Sequence, residues 1–124
     1  MANTLRLISG TLTLDIELND GPTAQAVWDA LPIESRASTW GDEIYFSIPV
    51  KLEQEANARA EAAVGDVAYW APGSAFCVFF GRTPASSDDT PVAASPVNHM
   101  GAVRGDATVL RAVRDGDPVR LERL

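Results

Sequence analysis

The sequence contains few of the residues that build disulfides and metal sites. Its 124 residues include one cysteine, Cys77, and one histidine, His99. A single cysteine cannot form an internal disulfide and is typical of a reducing compartment, so we expect a cytoplasmic protein. One histidine and one distant cysteine do not have the ligand spacing of a metal site. The sequence therefore predicts neither a metal nor any other cofactor.

Long hydrophobic runs are also missing. No apolar stretch approaches the roughly 20 residues that a membrane-spanning helix needs. The N-terminal stretch MANTLRLISG does not have the basic region and long apolar segment of a signal peptide. We therefore expect no membrane association.

Positive charge is scarce as well. Lys and Arg total 10 against 17 Asp and Glu, which gives a net charge of −7. The arginines between Arg104 and Arg123 alternate with acidic residues and form no basic stripe. Because a nucleic-acid-binding surface is normally net basic, nucleic acid is not an expected partner.

The composition is otherwise that of a globular protein, and the length suits one domain over residues 1–124. The stretch TLTLDIEL (11–18) alternates apolar and polar residues, which predicts a strand with one buried face. TLRLI (4–8) has a similar pattern, and the Ser9-Gly10 pair between them is typical of a turn. The chain is therefore predicted to begin with an antiparallel hairpin.

Apolar residues at helical spacing predict a helix within 19–32, ended by Pro32, and a second helix over 106–116. The stretch AFCVFFG (75–81) is apolar on both faces, so we expect a strand that is covered on both sides. The segment 51–64 is expected to be irregular or loosely helical, and 83–95 is expected to be a loop. The other predicted strands are 34–40, 43–48, 65–70, 96–103 and 118–124.

Eight strands and two short helices make the protein mainly β. The strands do not alternate with helices, which argues against a parallel α/β sheet. The order predicts a closed, mostly antiparallel, eight-stranded barrel with a short helix capping each open end.

This order of elements resembles the cyclophilin fold. The motifs TWGDEIYFSIPV (39–50) and GDVAYWAPGSAFCVFFGRTP (65–84) are similar to those of small prokaryotic cyclophilin-like proteins of unknown function. The resemblance implies a cyclophilin-like domain and argues against efficient prolyl isomerase activity. Active cyclophilins have an arginine before an Ile-Ile-Pro-like triplet, where this chain has Tyr45, Phe46 and Ser47. These side chains cannot supply the charge-assisted donor that the arginine provides.

Three residues are candidates for catalysis. Glu43 belongs to the first motif, and a buried position beside Trp40 or Tyr69 is one possibility for it, whereas Asp42 after Gly41 is typical of a turn. Arg82 is a candidate replacement for the missing arginine. His99 is either a structural residue, a residue of the cleft, or a catalytic residue.

Aromatic residues dominate the candidate ligand-binding set, because binding sites are concave and largely apolar with a few polar groups. The alternative for each aromatic residue is the core of the barrel. The candidates are Trp40, Glu43, Tyr45, Tyr69, Trp70 and Phe76.

Together these features predict a cyclophilin-like domain that binds a small molecule or an extended peptide in an aromatic-lined cleft. A weak isomerase or another enzyme that uses Glu43, His99 or Arg82 is the first alternative. An assembly module without catalysis is the second.

Overall fold

The computed structural model describes residues 3–124, which form ten strands, one α-helix and two 3₁₀ segments. The strands are β1 (Thr4–Ser9), β2 (Leu12–Leu18), β3 (Ile33–Arg36), β4 (Ser38–Thr39), β5 (Glu43–Ser47), β6 (Arg59–Glu61), β7 (Asp66–Trp70), β8 (Ala75–Phe79), β9 (Val92–Arg104) and β10 (Pro118–Arg123). The helix α1 spans Pro22–Ala30, and the 3₁₀ segments span Ala71–Gly73 and Ala107–Ala112. Within the described residues, no helix is long and apolar enough to cross a membrane.

The predicted closed, eight-stranded barrel is wrong. Antiparallel ladders run in the order β3-β10-β1-β2-β9-β7-β8-β5-β4, with β6 paired to β9, and within residues 3–124 no ladder joins β3 to β4. These two edge strands are consecutive in the chain, and Ala37 lies between them. The Ala37 N–H donates to the Asp117 carbonyl at 2.9 Å, and the Ala37 carbonyl accepts from the Gly116 N–H at 2.8 Å. The backbone of Ala37 therefore bonds the turn before β10. Because no ladder joins the two edge strands, the sheet is open.

Short strands explain why the structure has ten strands and not the predicted eight. The predicted strand 34–40 is two strands, because Ala37 interrupts it. The three-residue strand β6 lies within the segment 51–64, which has no regular structure before Arg59. The predicted second helix is a 3₁₀ segment, which Asp106 caps by accepting a hydrogen bond from the Thr108 N–H.

One face of the sheet carries the larger hydrophobic core. The alternation in the first hairpin sends Leu5, Leu7, Leu14 and Ile16 to this face, where α1 also packs. Val67 and Tyr69 of β7 and Val78 and Phe76 of β8 also lie on this face, where Phe46 stacks on Phe76 with ring centroids 5.2 Å apart. These side chains belong to the larger of the two buried clusters.

The opposite face of β7 and β8 carries a second, smaller cluster. It consists of Ala62, Ala68, Ala75, Cys77, Phe79, Ala93 and Val97. The strand β8 is therefore covered on both sides, as its two apolar faces predict. Four of these seven residues are alanines, and Phe79 is the one aromatic residue among them.

Candidate functional site

A pocket opens on the second face, above the cluster of small residues. Its lining consists of Trp40, Glu43, Tyr45, Trp70, Cys77, Ala93, Ala94 and Val97. These residues come from the turn before β5 and from the strands β5, β7, β8 and β9. The cavity volume is about 170 Å³, which is close to the roughly 150 Å³ of an apolar cavity that accommodates benzene.

Aromatic side chains form the walls of this pocket. Trp40, Tyr45 and Trp70 are each half-buried, so part of each ring contacts the protein and part faces the opening. The Trp70 indole Nε1–H donates to the Ser95 hydroxyl at 2.7 Å. This bond links the end of β7 to the first part of β9 and restricts the orientation of the ring.

The turn between β4 and β5 positions Trp40 and Glu43. Gly41 has φ +59°, and an added Cβ would lie 2.8 Å from the Pro84 Cδ and 2.9 Å from the Arg82 carbonyl oxygen. The Asp42 N–H donates to the Arg82 carbonyl at 2.8 Å, and the Trp40 N–H donates to the Glu43 carbonyl at 2.9 Å. Glycine is therefore required here both for the left-handed conformation and for the close approach of the chain.

Glu43 is the buried carboxyl group of the pocket. Its exposed fraction is 6%, and burial raises its pKa to about 7, although a side-chain hydrogen bond with Cys77 opposes the shift. None of the ion pairs among residues 3–124 involves Glu43. A carboxyl group in this state can gain or lose a proton near neutral pH, or pair with a cation.

Cys77 forms part of the floor. It is 2% exposed, and its Sγ lies 3.9 Å from the Ala75 carbonyl oxygen. Burial, together with the negative charge of Glu43, raises the pKa of the Cys77 thiol well above its usual range. The side chain is therefore a neutral thiol, whereas a nucleophile would need the thiolate.

Four of the six residues that the sequence nominates for ligand binding share this lining: Trp40, Glu43, Tyr45 and Trp70. The other two, Tyr69 and Phe76, lie in the larger core on the opposite face. Each is adjacent in the chain to a residue of the second face, and neighbouring strand residues point to opposite sides. Their position follows from this alternation.

Tyr69 instead holds an irregular segment against the core. Its hydroxyl donates to the Val50 carbonyl at 2.7 Å and accepts from the Leu52 N–H at 3.1 Å. The buried Asn98 has a similar arrangement, because its side chain accepts from the Glu55 N–H and donates to the Glu53 carbonyl. These two side chains hydrogen-bond the backbone of residues 50–55, which has no strand partner.

The other two catalytic candidates lie outside the pocket. Arg82 is exposed, and its carbonyl oxygen bonds the turn before β5. His99 lies with its Nδ1 3.7 Å from Asp66 Oδ2 and its Nε2 3.3 Å from the Arg59 carbonyl oxygen. The structure does not bring Glu43, Arg82 and His99 together in one site.

The stretch Tyr45, Phe46 and Ser47, which the resemblance to cyclophilins matches to the isomerase arginine, is divided between three environments. Tyr45 lines the pocket, Phe46 is in the larger core, and Ser47 is exposed at the end of β5. The pocket lining includes no arginine, lysine or histidine. Residues 3–124 also contain no group of three or more His, Cys, Asp or Glu side chains that could hold a metal ion.

Sequence reasoning missed the contribution of β9 to this site. Ala93 and Ala94 fall in the predicted loop 83–95, but β9 begins at Val92 and places both residues, with Val97, in the lining. In the sequence, Ala75 and Cys77 alternate with Phe76 and Val78, and the two smaller residues lie on the pocket face together with Phe79.

The family model described as cyclophilin-like matches residues 3–122. A hypothetical protein from Archaeoglobus fulgidus, known from a solution structure, is 41% identical over 99% of this chain and 95% of its own, with a TM-score of 0.83. No functionally curated protein is detectably similar in sequence. The chain belongs to the cyclophilin-like family.

Proposed function

We propose that this protein binds a small molecule in the pocket formed by Trp40, Glu43, Tyr45 and Trp70, without efficient peptidyl-prolyl isomerase activity. One observation carries the proposal: a buried carboxyl group opens into an aromatic-lined cavity without an ion-pair partner among the described residues. Apolar walls with a few polar groups are characteristic of ligand sites. The protein would act as one domain, and its single cysteine is consistent with the cytoplasm.

The size of the cavity favours a small ligand over an extended peptide. A volume of about 170 Å³ is below the roughly 300–1,000 Å³ of pockets that enclose drug-sized molecules. It suits a compact molecule or a single side chain. An extended peptide would have to bind mostly outside the cavity.

An enzyme that uses Glu43 as a general acid or base is the second candidate. The observation in its favour is the raised pKa of about 7, because the best general acids and bases have a pKa near the working pH. Such an enzyme should lose turnover in Glu43→Gln while its fold is retained.

A thermal-shift screen of metabolite classes tests the binding proposal. A ligand that binds only the native state stabilises it, by about 2.7 kcal/mol at 100 times its Kd. Ala94 is exposed and lines the pocket, so Ala94→Trp should block the cavity with little effect on the core. Ala112→Trp is the matched control, because Ala112 is exposed outside the lining.

We expect one ligand class to raise the Tm of the wild type and of Ala112→Trp but not of Ala94→Trp. A ligand that stabilises all three proteins equally would show that binding occurs elsewhere. A screen in which no class raises the Tm would also contradict the proposal.

A further inference from the structure

We propose that the ligand of this pocket is a cation, specifically a small methylated ammonium compound, held between the three aromatic rings and the Glu43 carboxylate. This inference rests on the proposed binding function and specifies its ligand class. Ammonium groups are attracted to the faces of Trp and Tyr rings within about 6 Å of the centroid. Trp40, Tyr45 and Trp70 share one lining with a carboxylate, which combines both kinds of interaction.

The protein's own cations do not use these rings. Arg111 stacks over Phe80 at 5.6 Å, and Arg123 stacks over Trp28 at 4.8 Å. These are the two cation–π contacts within residues 3–124, and neither involves an aromatic ring of the pocket. The rings that line the pocket are therefore available to a cation from outside.

Charge also favours a cation. A carboxylate in an apolar environment is disfavoured unless an opposite charge lies beside it. Glu43 has no ion-pair partner among residues 3–124. A bound cation would supply this opposite charge. An anionic ligand would meet that carboxylate and the net charge of −7. The other titratable groups of the lining are Tyr45 and Cys77.

The mostly apolar lining favours a methylated ammonium over a primary one. A primary ammonium has three N–H donors, and leaving them unpaired in a buried site costs free energy. The Trp40 and Trp70 indoles have an N–H donor and no acceptor, and that of Trp70 is bonded to Ser95, so the side-chain acceptors of the lining are the Glu43 carboxyl, the Tyr45 hydroxyl and the Cys77 thiol. A quaternary ammonium needs no acceptor, and its methyl groups suit an apolar cavity of about 170 Å³.

The test compares choline with 3,3-dimethylbutanol, an uncharged molecule of nearly the same shape, by calorimetric titration at equal ionic strength. Choline should bind the wild type at least 10-fold more tightly than the alcohol at pH 8. Glu43→Gln should weaken choline binding at least 10-fold and leave binding of the alcohol unchanged. Ala94→Trp should abolish both, whereas Ala112→Trp should change neither.

Several results would overturn the inference, and they separate it from the binding proposal. Equal affinities for choline and the alcohol, both lost in Ala94→Trp, would retain a small-molecule pocket but exclude selection of a cation. If neither choline nor the alcohol binds, but another metabolite class stabilises the protein through this pocket, the pocket would again be retained and the methylated ammonium ligand excluded. Failure of both probes and of the whole metabolite screen would overturn both proposals.

Discussion

Glu43 on β5 and Cys77 on β8 lie on the same face of adjacent strands, where both line the pocket and each shifts the pKa of the other. Glu43 pairs in register with Phe79, and Tyr45 pairs with Cys77, so Glu43 and Cys77 are diagonal neighbours. Side chains in this relationship are within reach of each other across a ladder. The pair combines a carboxyl group that titrates near neutrality with a thiol that stays protonated.

Stability should depend on pH through Glu43. Its pKa is 4.5 when unperturbed and about 7 in the folded protein, so the native state binds the proton more tightly than the unfolded state. The stabilising contribution is complete below about pH 4.5 and is lost as the pH rises through about 7. This shift corresponds to roughly 3 kcal/mol.

Glu43→Gln should remove this dependence, because the amide does not titrate. We expect urea unfolding to show that the variant gains up to roughly 3 kcal/mol relative to the wild type between pH 5 and pH 8. Glu17→Gln, at an exposed strand position, is the control and should follow the wild type. Parallel pH profiles for wild type and Glu43→Gln would contradict the prediction.

The thiol of Cys77 should tune the pKa of Glu43. Its hydrogen bond lowers that pKa, so Cys77→Ala should raise the pKa above about 7. Cys77→Ser should lower it below the wild-type value, because a hydroxyl is a stronger donor than a thiol. Carbon-13 NMR titration of the carboxyl group measures both changes, and shifts of the same sign in the two variants would exclude this role.

The hydroxyl of Tyr69 should stabilise the fold through residues 50–52. Tyr69→Phe leaves the Val50 carbonyl and the Leu52 N–H without the partner they have in the native protein. We expect the free energy of unfolding to fall by about 1–3 kcal/mol. The matched control is Tyr45→Phe, at a half-buried residue of the pocket, which should cost less; equal costs in urea unfolding would contradict this role of Tyr69.

Prolyl isomerase activity should be absent or very weak. The barrier to peptide rotation is about 18–20 kcal/mol, and the pocket lining contains no arginine to donate to a prolyl nitrogen. In a protease-coupled assay with proline tetrapeptides, the rate should equal the uncatalysed rate. Turnover that is lost in Ala94→Trp but retained in Ala112→Trp would overturn this expectation.

The local sequence pattern was enough to predict most of the strands and which of their faces are buried. The alternation in β2 and the double apolar pattern in β8 depend on the direction of successive side chains, which holds in any strand. The two motifs that resemble the cyclophilin-like family lie in elements that form the pocket, and the candidate residues Trp40, Glu43, Tyr45 and Trp70 belong to its lining.

The local sequence pattern did not predict that the sheet is open, how many strands it has, or all of the residues that line the pocket. No ladder joins β3 to β4 within residues 3–124, and the backbone of Ala37 between them bonds residues 116 and 117, 79 and 80 positions away. The start of β9 at Val92 lies in a segment rich in Pro, Ser and Asp, where pairing with distant strands overrides weak β-propensity.

The sequence by itself determined which residues alternate and which stretches resemble the motifs of the family. Only the tertiary structure decided that the sheet stays open, that Tyr69 and Phe76 lie in the interior, and that Ala93, Ala94 and Val97 complete the pocket. The physical reason is that alternation is a property of neighbouring residues. Closure, burial of Glu43 and the shape of a cavity arise from contacts between strands that are distant in the chain.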